Sequence, residues 1–115
     1  VQGVNSYDIC GSGAAAISNQ HANAIITHSP QGNSAICTFT MSGLKPDGYM
    51  AVRGASKAAT QTCSKATLYI KGEKFCVGGE LIEPAIRINP GGTVDFTVDG
   101  NATGFQVELV TNCKC

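Results

Sequence analysis

Tryptophan is absent from this 115-residue chain, aromatic residues number seven, and only 14% of side chains are charged, against an average of about 25%. Eight basic and eight acidic residues cancel to a formal net charge of zero. Disorder and general nucleic-acid binding both rest on excess charge, so this composition disfavours both. With 43% hydrophobic residues and so few rings, the core has to be assembled from Val, Ile, Leu, Ala and a few Phe. No charged residue occurs between Asp8 and Lys45, yet this stretch is no membrane span. Ser18-Asn19-Gln20-His21 and Thr27-His28-Ser29-Pro30 interrupt it, whereas a spanning helix needs about 20 consecutive apolar residues. Internal repeats, low-complexity tracts and linkers are also missing, so residues 1–115 read as a single domain. The chain begins at Val1 with no short apolar run behind a basic start, the pattern expected of a mature chain whose signal peptide has been removed.

Six cysteines and fourteen glycines are present. So many cysteines in a small chain, in even number, suit a disulfide framework formed in an oxidising compartment, and the expectation is a secreted, extracellular protein. Charge is uneven along the chain. From Lys45 to Cys76, six basic residues (Lys45, Arg53, Lys57, Lys65, Lys71, Lys74) face Asp47 and Glu73, a net +4. From Val77 to Cys115, Arg87 and Lys114 face Glu80, Glu83, Asp95, Asp99 and Glu108, a net −3. The basic segment has two readings: a solvated surface, or a patch for sulfated glycans and acidic partners carried by Arg53, Lys57, Lys65, Lys71 and Lys74. Strand alternation would send Lys65 and Lys71 to one face and Arg53 to the other.

The periodicity is that of strands. Ala35-Ile36-Cys37-Thr38-Phe39-Thr40-Met41 alternates so that Cys37, Phe39 and Met41 share one face and Thr38 and Thr40 the other. The same period recurs over residues 67–71, 85–88, 94–98 and 105–109. Residues 23–27 and 48–53 are weaker strand candidates, and Ala14 to Ile17 reads as strand or helix because alanine favours helix. Lys45-Pro46-Asp47-Gly48, Gly78-Gly79 and Asn89-Pro90-Gly91-Gly92 read as turns. Many short strands at this spacing predict an all-β fold, an antiparallel β-sandwich or barrel. The expected core includes Ile36 or Cys37, Phe39, Leu68, Ile70, Phe96, Val98, Phe105, Val107 and Leu109.

Cysteine spacing and strand residues together resemble a CUB domain, the extracellular β-sandwich module that includes the mammalian spermadhesins. Cys10-Gly11 opens the pattern; Ile26-Thr27-His28-Ser29-Pro30 is similar to the family's Ile-x-Ser-Pro turn with one extra residue; and Cys37-Thr38-Phe39-Thr40-Met41 resembles its Cys-x-Trp-x-Ile strand. Ala66-Thr67-Leu68-Tyr69-Ile70, between Cys63 and Cys76, resembles its Asp-x-Leu-x-Ile strand, and Thr93 to Asp99 followed by Gly104-Phe105 resembles its closing segment. The resemblance covers nearly the whole chain. It implies a CUB-like jelly roll with bridges Cys10 to Cys37 and Cys63 to Cys76, each contributing about 3 kcal/mol through loop closure. Phe39 stands where the family usually has Trp, and Cys113-Lys114-Cys115 lies beyond the usual end of the module.

Many CUB domains bind calcium through a Glu before the third cysteine, an Asp three residues after it and an Asp on a late loop. Of these only the last has a counterpart, Asp99; Lys57 and Ala58 precede Cys63 and Ala66 follows it. Calcium needs six to eight oxygen ligands, so no metal and no cofactor is expected. His21 and His28 have no metal-ligand spacing and read as loop histidines. Ser18, His21 and Asp8 supply the residue types of a hydrolase triad without a Gly-x-Ser-x-Gly elbow. Gly11-Ser12-Gly13 and Gly91-Gly92 lack the residues of a phosphate loop. Asn101-Ala102-Thr103 is the only glycosylation sequon, set between Gly100 and Gly104, and reads equally as occupied or unused.

The tail leaves three readings open. Continuing a strand sets Cys113 and Cys115 about 6.6 Å apart at Cα, at the edge of disulfide reach, so a local bridge needs a turn at Lys114. A two-fold axis at Lys114 would pair Cys113 with Cys115 of a second copy in a homodimer. Free thiols or metal binding complete the set. The expected function is that of a secreted, non-catalytic binding module for a glycan or an extracellular protein, without nucleic-acid binding or membrane insertion. The alternative is a self-associating structural or matrix component linked as a disulfide dimer.

Overall fold

The structure, a computed structural model, describes residues 5–12, 14–16, 23–58, 60 and 62–112. Asn5–Asp8 (β1), a single helical turn at Ile9–Ser12 (α1) and Ala14–Ala16 (β2) lead into Asn23–His28 (β3) and Ile36–Ser42 (β4). Tyr49–Lys57 (β5), Thr67–Ile70 (β6), Glu73–Arg87 (β7), Val94–Asp99 (β8) and Phe105–Asn112 (β9) follow. They form one sheet in the order β1-β3-β9-β5-β7-β6-β8-β4-β2. Its two edge strands, β1 and β2, are neighbours in sequence joined through α1, so the sheet curls until its edges are linked by one short segment. Both edge strands pair in parallel, β1 with β3 and β2 with β4, while every other pairing is antiparallel.

Period two decides what the curl encloses. In β8, Val94, Phe96 and Val98 are buried while Asp95 and Asp99 are exposed. Phe39 and Met41 of β4, Leu68 and Ile70 of β6, Met50 and Val52 of β5, and Val107 and Leu109 of β9 fill the same core. Phe39 and Phe96, cross-strand partners, stand 6.1 Å apart between ring centroids. Three positions depart from the expected core. Ile36 is 65% exposed, because the phase that buries Phe39 and Met41 turns position 36 outward. Cys37 and Phe105 are partly buried and pack against the core from its margin.

Gly78-Gly79, read as a turn, lies inside β7. There Ala55 pairs with Val77 and Arg53 with Ile82, so five residue steps of β7 oppose two of β5. The pair thus falls in a bulge and not a turn, and opposite it Gly54 of β5 takes a φ of 106°, the conformation a glycine permits where the ladder shifts register. A second irregularity, between Met50↔Ile86 and Val52↔Glu83, coincides with Pro84, which lacks a ladder donor. The other two turn readings hold: Gly48 N donates to Lys45 O at 3.1 Å, and Gly92 N to Asn89 O at 2.8 Å. The ambiguous Ala14–Ala16 segment is strand, and the two weaker candidates are β3 and β5.

Both bridges implied by the resemblance are present, Cys10–Cys37 and Cys63–Cys76. Cys113, Cys115, Ser18 and His21 lie outside the described residues. Among the described residues, no helix is long and apolar enough to cross a membrane.

Candidate functional site

The turn between β6 and β7 builds one wall of a groove. Lys71 and Gly72 have φ of 57° and 77°, the left-handed pair of a type I′ hairpin, which matches the twist of the flanking strands. Holding a lysine there costs about 1–2 kcal/mol. Two hydrogen bonds offset that cost: the Lys71 amide donates to Asp95 O of β8 at 2.8 Å, and its ammonium donates to Arg87 O of β7 at 2.5 Å.

Lys57 ends β5 in register with Phe75 and in phase with buried Ala55, so it emerges where the sheet interior opens to solvent. Its Nζ lies 2.8 Å from Glu73 Oε1, with both side chains more than half exposed. Arg87 stands at the other end of β7. Its Nη2 is 3.5 Å from Asp47 Oδ1, and its guanidinium lies 5.8 Å from the Tyr49 ring centroid, within cation–π range. Between these groups Ile70, Phe75 and Ile86 form an apolar floor under a cavity of about 200 Å³.

The Glu73 carboxyl is held below the usual glutamate range by the hydrogen bond from Lys57, then by the charges of Lys57 and Lys71. At neutral pH three cations therefore face two carboxylates, Glu73 and Asp47. Lys57 and Arg87 each have a carboxylate partner, whereas Lys71 donates to a carbonyl and keeps its charge available. Such a groove suits a small anionic group carried on a body with an apolar face.

The five basic residues singled out in the sequence do not form one surface. Lys57 and Lys71 line this groove. Arg53 sits across from Glu108 on β5–β9, with Nε 3.6 Å from Oε1. Lys65 borders a separate groove of about 230 Å³ with Gly54, Gly104 and Phe105. Lys74 pairs in register with Tyr69, on the face opposite buried Phe75. Arg87 and Glu73, which complete the first groove, were not among the sequence candidates. Charge counted along the chain assigned Arg87 to the acidic third, and only the Tyr49↔Arg87 and Lys57↔Phe75 pairings bring its wall to Lys57.

The sequon lies on the exposed 99–104 turn, where Asn101 and Thr103 are exposed and Asn101 Nδ2 donates to Ser34 Oγ at 3.3 Å. Its neighbour Asp99 accepts the Asn101 amide at 2.8 Å, forming an Asx turn. Ala58 and Ala66, which the resemblance to CUB domains would set where calcium carboxylates stand, are 2% and 5% exposed methyl groups. They donate nothing to a cation, so these residues do not fit calcium. His28 corrects the loop reading: it is the last residue of β3 and 2% exposed. Its Nε2 bonds Ala102 O at 2.9 Å and its ring packs 5.4 Å from Phe105, interactions that draw the residue before Ser29-Pro30 inward. Comparison with known proteins finds no matching family model and no matching curated protein.

Proposed function

We propose that this protein is a secreted, non-catalytic binding domain of the CUB jelly-roll type. It recognises an anionic group, borne by a glycan or an extracellular protein, at the Lys57–Lys71–Arg87 groove. The observation that carries this reading is the convergence of three cations from β5, the β6–β7 turn and the end of β7 around one apolar floor. Two disulfides in a small β domain suit the oxidising compartment in which such ligands occur. The bridge pairing and the curled all-β sheet support the CUB-type reading.

The test is binding of a heparin-derived oligosaccharide followed against salt. Coulomb attraction at a solvated groove weakens as the Debye length falls from about 10 Å at 0.1 M to about 3 Å at 1 M. Retention past physiological salt, lost in Lys71→Ala and retained in Arg53→Ala, is the expected result. Elution below physiological salt, or equal loss in both variants, overturns the assignment.

A further inference from the structure

His28 presents a buried nitrogen to a disulfide. Its Nε2 lies 2.9 Å from the Ala102 carbonyl oxygen, and a carbonyl only accepts, so Nε2 carries the ring hydrogen. In the neutral ring Nδ1 is then a lone pair, and it faces Cys10 Sγ at 3.4 Å in a side chain only 2% exposed. A disulfide sulfur has no hydrogen to give. Every other buried side-chain nitrogen or oxygen among the described residues has a hydrogen-bond partner. The oxidised protein therefore leaves this acceptor without a donor, and a Cys10 thiol would supply one.

We infer that Cys10–Cys37 is a thiol-exchangeable bond in which Cys37 is the sulfur attacked and Cys10 the leaving group, with His28 stabilising the leaving thiolate. An incoming small thiol R–SH attacks Cys37 Sγ as the thiolate. The R–S–Cys37 bond forms, the Cys10–Cys37 bond breaks with its electron pair passing to Cys10, and the thiol's proton ends on His28 Nδ1. The product is a Cys10 thiolate hydrogen-bonded to an imidazolium whose Nε2–H still donates to Ala102. A second thiol then attacks the R sulfur and releases Cys37 as a thiol, so two electrons pass from the thiols to the bridge.

Direction follows from which sulfur the imidazole touches, since the thiol of lower pKa leaves faster and an adjacent imidazolium lowers a thiol pKa. Two acidic groups lie at this end, Asp8, whose Oδ1 accepts the Cys10 amide at 3.1 Å, and Asp99, in register with Ile36 beside Cys37; both oppose the thiolate, while the direct contact to Nδ1 favours it. Access does not oppose this direction, because Cys10 and Cys37 are both half-buried and Cys37 stands beside the exposed 31–36 segment. The second bridge is an internal control: Cys63 Sγ faces the Phe75 carbonyl at 3.8 Å, an acceptor that disfavours a thiolate. Opening Cys10–Cys37 unties α1 from β4 and so loosens the segment that holds both edge strands.

The full-length oxidised protein is treated with glutathione under native conditions, quenched, alkylated and mapped by peptide mass spectrometry. Cys10–Cys37 is expected to open at least about tenfold faster than Cys63–Cys76, with glutathione trapped on Cys37. Equal rates, earlier opening of Cys63–Cys76 or glutathione on Cys10 overturns the inference. In the protein opened only at the first bridge, thiolate absorbance at 240 nm should persist at about pH 6 and disappear in His28→Gln. Absence of that band in the unmodified chain, or its retention in His28→Gln, also overturns it. Because the first readout and the wild-type band need no variant, poor folding of His28→Gln does not shield the inference.

Discussion

Tyr7 and Phe39 belong to β1 and β4, which lie far apart in the strand order, yet their rings are 5.5 Å apart and tilted by 31°. The contact closes the curl from inside, and Phe39 passes it on to Phe96. Truncating Phe39 to alanine removes a fully buried ring and should cost about 3–5 kcal/mol, a large share of the 5–15 kcal/mol typical of a domain. A double-mutant cycle of Tyr7→Ala with Phe39→Ala, followed by urea denaturation, should show a coupling of about 0.5–1.5 kcal/mol. Additive effects would mean that β1 and β4 do not meet.

Two glycines with the same backbone conformation should respond differently to alanine. Gly72 and Gly92 both have φ of 77°, but a Cβ on Gly72 meets nothing within 4 Å, while one on Gly92 falls 2.6 Å from Leu44 O. Gly92 O also accepts the Leu44 amide at 3.0 Å, so this backbone contact cannot open without losing a hydrogen bond. Gly72→Ala should cost about 1–2 kcal/mol, the conformational term alone. Gly92→Ala should exceed it by at least about 1 kcal/mol, measured as a lower denaturation midpoint. Equal costs would show that the Leu44 loop yields freely.

What could be read from the chain divides along the same physical line. Residues 94–98 and 105–109 announced themselves because one face is apolar and the other polar, and period two needs no knowledge of the neighbours. Asn5-Ser6-Tyr7-Asp8 gave no such signal, because an edge strand pairs on one side only and buries little. Of β7 only residues 85–88 read as strand, with Gly78-Gly79 as a turn, since a glycine pair looks the same in a turn and in a bulge; the β5 partner, not the local sequence, decides which. His28 looked like a loop residue beside Ser29-Pro30, and its burial depends on Ala102 and Phe105, more than seventy positions away. Lys57 and Lys71 could be named as binding candidates from charge alone. Their separation from Lys65 and their union with Arg87 follow from pairings formed between distant stretches.

Calcium offers a test in which the family resemblance and the residues disagree. A ligand that fills its site at about one hundred times its dissociation constant adds about 2.7 kcal/mol to folding stability. With methyl groups at Ala58 and Ala66 and the Asp99 carboxylate engaged by the Asn101 amide, millimolar calcium should shift Tm by less than about 1 °C. A rise of several degrees that Asp99→Ala abolishes would show that backbone carbonyls replace the absent carboxylates.

The pH response of the groove is set by Glu73, whose pKa is depressed by the Lys57 hydrogen bond and by the charges of Lys57 and Lys71. A carboxyl with a folded pKa below its unfolded value contributes stability that is present above the unfolded pKa and lost as pH falls through the folded one. The effect on stability is slight here, because both partners are exposed and salt screens them. The effect on an anionic ligand has the opposite sign, since a protonated Glu73 no longer offsets Lys57. Binding of a sulfated oligosaccharide should therefore stay level from about pH 8 to pH 5 and strengthen only below the ordinary carboxylate range. Glu73→Gln should reproduce the stronger binding at neutral pH, by about three- to fivefold at low salt, and reduce the acid rise. The gain should vanish at about 1 M salt, where the Debye length falls to about 3 Å. A Glu73→Gln variant that binds no better than the parent, or an acid rise undiminished in it, would remove Glu73 and its lysine partner from the site.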